Sequence, residues 1–429
     1  MKNRLLTLLI TIIIATTALT AFCSCSREKT FGKQSIIDGT DVSGMTYSEA
    51  KQLVEKNHSK LLSELKYTIR TDTKSICFTA RGLGISFDTE NTLKRVFEKP
   101  ENATTKLKID ENVARENLKI LDKELSTGAE EAKAEYDACG EFVFYKAKSG
   151  SKPEIDSILE SLKNALNSAK SETLIAKMSS VEATGTSYEE LKENNSVIAE
   201  FTTFFNRNPL NAKGRVNNIK KGANLVNGTT INPGECFNTN KILGDRNKEN
   251  GWFMAAGIRD GKYNQEYGGG VCQISTTIYN AALLANLEIV ERNHHTWPIT
   301  YVDIGRDATI STDGPNFIFK NNTQNTLTVC ALVNEDKESL TVKLFGKKPK
   351  HYSRVEIESK QTGTITAPET EYVYNNELSK GEYVQDRKAR NGKKAVTYRY
   401  FYDENDKLIK TETVTKDIYR PVAARIYYG

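Results

Sequence analysis

One cysteine of the chain stands where a nucleophile would be built. Cys272 follows three glycines, Gly268 to Gly270, and precedes a run in which apolar and small residues recur at helical spacing. A cysteine in the first turn of a helix lies among unpaired backbone N–H groups, which together with the helix dipole stabilise a thiolate. Because only the thiolate attacks a carbonyl, this position favours a catalytic cysteine over a buried structural one.

The helical period also predicts which way this cysteine faces. The apolar and small residues that begin at Ile274 form one stripe, which predicts a helix packed on a single face. Cys272 falls off that stripe, on the side of Thr276 and Tyr279. The period therefore argues against a cysteine inside the core.

A histidine that can act as the base follows the helix. The chain has four histidines, and His294 and His295 come after a strand predicted near Leu287 to Val290. A helix, a short link and a strand return the chain toward the start of the helix, which brings an imidazole to the thiol. Asp307 is predicted to orient that imidazole, which completes a triad by role. Cys272 lacks the paired-ligand spacing of a zinc site, so we expect no metal and no cofactor.

Residues next to the predicted triad are candidates for binding the substrate. Three successive residues without a Cβ atom would let a substrate backbone come close to the sulfur. Gly269 and Gly270, with the adjacent Gln273, are therefore predicted to contact the substrate. Arg306 precedes Asp307 and is predicted either to hold a substrate carboxylate through two hydrogen bonds or to form a structural ion pair.

Composition limits the class of protein. The chain has 429 residues, of which 27% are charged and 38% hydrophobic, values typical of a globular protein with several domains. The net charge of +5 is too small to indicate a nucleic-acid partner. The cysteines beyond residue 26 are odd in number and scattered, which is not a disulfide framework. Cys77 and Cys330 are predicted to be buried strand residues.

The N-terminus has the pattern of an export signal. Lys2 and Arg4 precede an apolar run from Leu5 to Phe22, and a serine precedes Cys25 as in bacterial lipoproteins. Segment 1–25 is therefore predicted to be a signal peptide or a membrane anchor, lipid-linked or helical. The body of the protein is expected outside the cytoplasm, attached to the membrane or associated with the cell wall. Plain secretion after cleavage is the alternative.

Alternating helix and strand signals predict an α+β multidomain protein. A capping box at Thr46 opens a helix that runs to about Lys56, and Pro153 to Lys170 forms an amphipathic helix. Strands are predicted to dominate from Ile299 to about Phe345. After Arg354 a period-two pattern predicts a small all-β module. Its tyrosines around Tyr398 are predicted to be exposed and either to contact glycan or only to stabilise a thin sheet.

Four short motifs follow one another along the chain: Asn232-Pro233-Gly234-Glu235, Gly268-Gly269-Gly270-Val271-Cys272-Gln273, His295 and Gly305-Arg306-Asp307-Ala308. In their order and spacing they resemble the VanW family. The resemblance covers about Phe201 to Lys348 and implies an α+β domain over 199–350. It assigns Cys272 as the nucleophile and His295, rather than His294, as the base.

Regions on both sides of this domain also resemble known modules. Residues 26–198 resemble a peptidoglycan-binding domain of α+β type that often precedes VanW domains. Residues 354–429 are similar to the G5 module of surface proteins. The stretches that carry these two resemblances are Val42-Ser43-Gly44-Met45-Thr46, the helix near Ile155, Lys380-Gly381-Glu382 and Asn391-Gly392-Lys393.

These resemblances imply chemistry at a Gram-positive cell wall. Some VanW-domain proteins resemble L,D-transpeptidases, which join diaminopimelate residues of neighbouring peptidoglycan stems through a cysteine. The implied partners are peptidoglycan stem peptides and glycan. Two alternatives stay open: a cysteine peptidoglycan hydrolase, acting as an L,D-carboxypeptidase or endopeptidase, and a non-catalytic wall-binding protein in which Cys272 is buried.

Overall fold

The computed structural model describes residues 28–205, 212–259 and 262–429. They form two compact units: the chain up to residue 129 with 149–182, and 130–148 with 183–429. The predicted export signal at 1–25 lies outside the described residues. Within them, no helix is both long and apolar enough to cross a membrane. Helices and strands mix along the chain, which confirms the predicted α+β class.

The first helix of the first unit opens with the predicted capping box. The Thr46 hydroxyl accepts a hydrogen bond from the Glu49 N–H, and the Glu49 carboxylate accepts one from the Thr46 N–H. The helix starts at Tyr47 as predicted, but it continues to Glu64, because residues as late as Leu62 still contribute to the core. Its strands are short and lie in small separate sheets. The helices of this unit are Tyr47–Glu64, Thr89–Glu98, Glu111–Leu118, Ile120–Leu125 and Ile155–Ala165, and the strands are Ile36–Ile37, Thr40–Asp41, Lys66–Arg70, Ser75–Thr79, Ile85–Phe87, Asn102–Ala103, Leu107–Ile109, Gly150–Pro153, Glu172–Ile175 and Met178–Val181.

One of the two cysteines predicted to be buried is exposed. Cys77 lies on a strand, but Ile76 and Phe78 pack toward the core and the period of two turns Cys77 outward. The prediction for Cys77 is therefore wrong. Cys330 is fully buried in a strand of the second unit, which confirms the other prediction.

A buried helix stands at the centre of the second unit. It spans Cys272–Leu284, and every residue from Gln273 to Leu283 is buried. The prediction of a helix packed on one face is wrong, since the side that carries Thr276 and Tyr279 is covered as well. The helix packs on an antiparallel sheet whose strands lie in the order Ser196–Phe204, Ser339–Gly346, Leu327–Asn334 and Thr229–Ile231.

Other elements close around this helix. A hairpin precedes it in the chain, and a small three-stranded sheet combines one strand from before the helix with two from after it. From Ile299 to Phe317 the chain forms turns and irregular backbone, so the prediction that strands dominate there holds only after Phe317. The remaining elements up to residue 350 are helices Tyr188–Asn194, Ala212–Val226 and Thr239–Leu243 and strands Lys133–Tyr136, Phe142–Tyr145, Cys236–Asn238, Met254–Arg259, Lys262–Tyr267, Glu288–Glu291 and Ile318–Lys320.

The hairpin at 133–145 belongs to the second unit by its contacts. The Tyr136 hydroxyl donates to Asn227 Oδ1 at 2.7 Å, and the rings of Phe142 and Phe345 meet edge to face at 5.2 Å. Residues 130–148 and 183–198, which fall within the predicted domain 26–198, therefore belong to the second compact unit.

The C-terminal module, residues 354–429, is all-β as predicted. It contains two three-stranded sheets. Tyr398 and its neighbours are half-buried, so the exposed tyrosines were predicted at the wrong place; Tyr372, Tyr374 and Tyr383 are instead 62%, 65% and 64% exposed. One sheet holds Arg354–Ile365, Gly392–Tyr402 and Leu408–Tyr419, and the other holds Glu371–Tyr374, Arg425–Tyr428 and Tyr383–Arg387.

Candidate active site

Cys272 is the first residue of the buried helix, at the end of a glycine turn. Gly268 and Gly270 have φ values of 80° and 106°, backbone conformations that side chains other than glycine's rarely adopt. The turn therefore requires glycine at these two positions. It delivers the sulfur to the N-terminal end of the helix, where the backbone dipole favours negative charge.

The faces of the three glycines are filled by the protein. A Cβ atom on Gly269 would lie 2.5 Å from the Ala255 carbonyl oxygen, and one on Gly270 would lie 2.9 Å from Arg215 Cγ. A Cβ on Gly268 would meet the stem of Arg246 at 2.6 Å. These contacts explain the glycines by packing within the chain. Substrate contact by Gly269 and Gly270 stays a prediction.

The segment Gly305–Ile310 lies along one side of the helix and is held there by polar side chains. Cys272, Thr276 and Asn280 are spaced by four residues and so share one helical face. Each of them contacts a different backbone group of the segment. The three contacts are Asn280 Nδ2–H to the Arg306 carbonyl at 2.8 Å, the Ala308 N–H to Thr276 Oγ1 at 3.0 Å, and the Ile310 N–H to Cys272 Sγ at 3.5 Å.

The structure brings Cys272, His295 and Asp307 together. The His295 imidazole and the Cys272 thiol interact strongly enough to shift each other's pKa, and His295 Nδ1 lies 2.6 Å from Asp307 Oδ2. The His295 backbone N–H also donates to Asp307 Oδ2, at 2.7 Å. Cys272 is half-buried, whereas His295 and Asp307 are only 5% and 1% exposed. The side chains are thus connected in the order of a nucleophile, a base and an orienting acid.

Electrostatics favour an ion pair between the thiol and the imidazole. Burial opposes the charged form of Cys272, but the hydrogen bond and charge of His295 outweigh it and lower the pKa of the thiol. Burial would likewise lower the pKa of His295, but Asp307 and Cys272 raise it to about 9. Both shifts favour the thiolate–imidazolium form of the pair over the neutral form.

The orienting acid is itself strongly held. Burial would raise the pKa of Asp307, but the hydrogen bonds and charge of His295, with the charge of Arg292, lower it to about 2. The Arg292 Nε–H donates to the Asp307 backbone carbonyl at 2.6 Å. Asp307 is therefore ionised at neutral pH.

Two other predicted site residues are engaged elsewhere. The Arg306 Nε–H donates to Asn280 Oδ1 at 2.7 Å, and the guanidinium lies 4.9 Å from the centre of the Phe201 ring. Gln273 is fully buried; its Oε1 accepts from Arg215 at 2.7 Å, and its Nε2 donates to Thr203 at 3.0 Å. Substrate-binding roles for Arg306 and Gln273 stay predictions.

Side chains that no motif indicated also border the sulfur. Thr309 Oγ1 lies 3.6 Å from Cys272 Sγ. The aliphatic part of the Arg246 side chain packs against the glycine turn. Burial lowers the pKa of Arg246, and the charge of Cys272 opposes this effect more than any other charge does. Burial raises the pKa of Tyr301, and the charge of Cys272 adds to that effect. These single residues in loops have no spacing signal in the sequence.

Comparison with known proteins identifies two domains. A family model described as VanW like protein matches residues 214–345, and a G5 domain model matches residues 356–429. The chain contains a VanW-like domain and a G5 domain. The cysteine site lies in the VanW-like domain, and the G5 domain forms the C-terminal module, which confirms both resemblances.

Two curated relatives match a similar share of the chain. An uncharacterized protein, YoaR of Bacillus subtilis (strain 168), is 38% identical over 124 residues, which cover 29% of this chain and 40% of that protein. The vancomycin B-type resistance protein VanW of Enterococcus faecalis (strain ATCC 700802 / V583) is 28% identical over 130 residues, which cover 29% and 47%. The chain thus spans less than half the length of either relative.

Two solved structures of G5 domains are also similar. HP0197-G5 is 17% identical with a TM-score of 0.11, and the match covers 18% of this chain and all of that one. The G5 domain of an IgA1 protease is 20% identical with a TM-score of 0.13, and the match covers 19% of this chain and 96% of that one.

The thiolate of Cys272 predicts an unusual pH dependence of alkylation. A thiol without an ion-pair partner loses about tenfold in thiolate for each pH unit below its pKa. We expect the ratio of the labelling rate of Cys272 to that of exposed Cys236 to increase at least about tenfold when the pH is lowered from 8 to 6. The ratio cancels differences in access, and peptide mass analysis measures it. His295→Ala should abolish the rise; a constant ratio in the unmodified protein would contradict the ion pair.

Proposed function

We propose that the protein is a peptidoglycan L,D-transpeptidase that forms diaminopimelate–diaminopimelate (3-3) cross-links through a cysteine thioester. The observation that carries the proposal is the connected set of Cys272, His295 and buried Asp307 at a helix start. The pairing of a VanW-like domain with a G5 domain supports a peptidoglycan-associated role outside the cytoplasm. Attachment to the membrane or to the wall is part of the proposal.

In the first half-reaction the Cys272 thiolate attacks the carbonyl between diaminopimelate and the terminal D-alanine of a tetrapeptide stem. The C–N bond breaks, and the His295 imidazolium gives its proton to the departing amine. D-Alanine leaves, and the stem stays attached to the sulfur as a thioester. Asp307 holds the Nδ1–H of His295 throughout, so the ring keeps the orientation and tautomer that this step requires.

In the second half-reaction the side-chain amine of another stem attacks the thioester. Neutral His295 accepts the proton of that amine, the new amide forms, and the C–S bond breaks to restore the thiolate. The cycle ends with the same ion pair with which it began. If water takes the place of the amine, the same residues produce a hydrolase, so the acceptor decides between the two activities.

The terminal carboxylate of the donor stem needs a cationic partner, and two arginines are candidates. Arg306 is the residue predicted for this role, but Asn280 and Phe201 already contact its guanidinium. Arg246 is 9% exposed, and its Nη1–H donates to the Gly244 carbonyl at 2.9 Å. Its buried Nη2 has no hydrogen-bond partner among the described residues. Because an unpaired buried donor is costly, Arg246 fits a site completed by a substrate anion.

Paired lysine substitutions distinguish the two arginines. Lysine keeps the charge but loses the bidentate geometry, so Arg246→Lys should weaken use of a tetrapeptide donor by about tenfold in kcat/KM. A donor whose terminal carboxylate is amidated should be used poorly by the unmodified enzyme and equally poorly by Arg246→Lys. The unmodified enzyme should therefore prefer the donor with a free carboxylate over the amidated donor. The arginine whose substitution removes this preference is the partner of the carboxylate. If Arg306→Lys alone removes it, Arg306 takes the role and Arg246 does not.

The reaction itself is tested with purified muropeptides. With tetrapeptide stems the folded protein should release D-alanine and yield a dimer joined through two diaminopimelate residues, as measured by mass analysis. Pentapeptide stems as the only donor should yield no such dimer, because their diaminopimelate–D-alanine bond lacks an adjacent free carboxylate. Cys272→Ala should abolish both products. Tripeptide accumulation without dimer at high acceptor concentration would favour a hydrolase, and no product at all would favour a wall-binding protein.

The G5 domain presents an exposed aromatic row that suits glycan. Tyr374, Tyr428 and Tyr383 stand opposite one another on three adjacent strands. The Tyr374 and Tyr428 rings are 5.7 Å apart and the Tyr383 and Tyr428 rings 6.3 Å apart. Such a row offers flat apolar faces beside hydroxyls, a surface that matches sugar rings. We assign glycan contact to these tyrosines.

Removing the row should weaken binding to the wall without changing the cysteine site. The double variant Tyr374→Ala with Tyr383→Ala should bind insoluble peptidoglycan about thirtyfold more weakly in a sedimentation assay, since the two lost rings together contribute on the order of 2 kcal/mol. Tyr145→Ala removes an exposed tyrosine outside the G5 domain and serves as the matched control. Equal binding by the double variant and the control would remove the row from glycan recognition.

A further inference from the structure

The G5 domain reaches the orienting acid of the cysteine site. Tyr419, at the end of strand Leu408–Tyr419, is 1% exposed. Its hydroxyl donates to Asp307 Oδ1 at 2.5 Å and accepts from the Gly305 N–H at 2.9 Å. One side chain of the G5 domain thus bonds both the catalytic carboxylate and the backbone that precedes it.

A second connection runs through an arginine of the VanW-like domain. Both carboxylate oxygens of Asp417 accept from Arg292 Nη1, at 2.7 and 2.8 Å. Arg292 in turn donates to the backbone carbonyls of Asp307 and Gly305, at 2.6 and 3.2 Å. The Thr397 hydroxyl also donates to the Gly305 carbonyl, at 3.1 Å. The start of the Asp307 segment is therefore tied to the G5 domain by several bonds.

The hydrogen bonds to the Asp307 carboxylate come from both the VanW-like domain and the G5 domain. Oδ2 accepts the two bonds from His295. Oδ1 accepts the short bond from Tyr419 and a longer one from Arg292, at 3.4 Å. A carboxylate that is 1% exposed depends on protein donors for the hydrogen bonds that water would otherwise supply. Without the Tyr419 hydroxyl, the long bond from Arg292 would be the one that Oδ1 keeps among the described residues.

We propose that the G5 domain completes the cysteine site, with Tyr419 as a positioning residue that fixes Asp307 and, through it, His295. The inference rests on the proposed acyl transfer for its catalytic consequence, but its structural part does not depend on the substrate. The VanW-like domain then requires the G5 domain of the same chain for full activity. Wall binding and bond formation belong to one structural unit.

The test substitutes Tyr419→Phe in the full chain, which removes one hydroxyl and keeps the ring. Loss of a hydrogen bond to a charged, buried group should lower kcat about tenfold or more while KM changes little. The pH profile of Cys272 alkylation should move to higher pH, because a displaced Asp307 supports the imidazolium less well. A purely structural role would change thermal stability but leave this profile in place.

One further variant serves as a control and another as an alternative test. Tyr400→Phe removes a hydroxyl that donates to Glu358 at 2.9 Å in the same G5 domain, and it should change neither kcat nor the profile. Asp417→Asn weakens the pairing with Arg292 and should shift the profile in the same direction; it provides the test if Tyr419→Phe does not fold.

The alkylation measurement separates the two proposals, since it needs no substrate. If the profile shifts in Tyr419→Phe but the unmodified protein makes no product, the acyl-transfer proposal fails and the completion of the site by the G5 domain stands. If the unmodified protein forms dimer and a folded Tyr419→Phe variant matches it in both kcat and profile, completion by the G5 domain is overturned.

Discussion

The buried carboxylate of Asp307 is the charge on which the second unit depends. Removing an ion from water costs on the order of several kcal/mol unless the protein supplies replacement hydrogen bonds. Here the donors come from His295, Arg292 and Tyr419, which lie on three separate stretches of chain. The site can form only when these stretches are correctly assembled. The cost of burial thus links the chemistry of the cysteine to the tertiary fold.

The central helix provides the second constraint, because it is buried on every side and still carries polar residues. Thr276 and Asn280 have no access to water, so their hydrogen bonds must be made within the protein. They make them with the backbone of the Gly305–Ile310 segment. The segment is irregular, and much of its backbone is bonded by side chains of the helix, of Arg292 and of the G5 domain instead of by a paired strand.

The same arrangement accounts for a thiolate in a half-buried position. Desolvation alone would favour protonated Cys272 and neutral His295, and either effect would oppose the ion pair. The hydrogen bond from His295 to Asp307, at 2.6 Å, together with the interaction with Cys272, outweighs burial and raises the pKa of His295. His295 in turn lowers the pKa of Cys272. Tyr419 of the G5 domain bonds Asp307, Asp307 bonds His295, and His295 lowers the pKa of Cys272. An all-β module far along the chain therefore contributes to the reactivity of a cysteine.

The sequence by itself determined the local features. A glycine turn before Cys272, the capping box at Thr46 and the period-two strands after Arg354 are set by interactions between neighbours in the chain, and each is present in the structure. The order of helix, strand and His295 was also sufficient to bring the imidazole toward the thiol. The sequence missed the exposure of Cys77, because a strand's pattern does not say which face meets the core.

Only the tertiary structure decided which distant groups complete the site. Tyr419 and Asp307 are 112 positions apart, and no spacing rule connects residues so far separated. Their contact depends on how the G5 domain packs on the VanW-like domain. The same holds for Arg246, whose unpaired nitrogen is visible only once its surroundings are folded. The physical reason is that burial and hydrogen-bond partners are properties of the assembled core, whereas caps, turns and periodicity belong to the local chain.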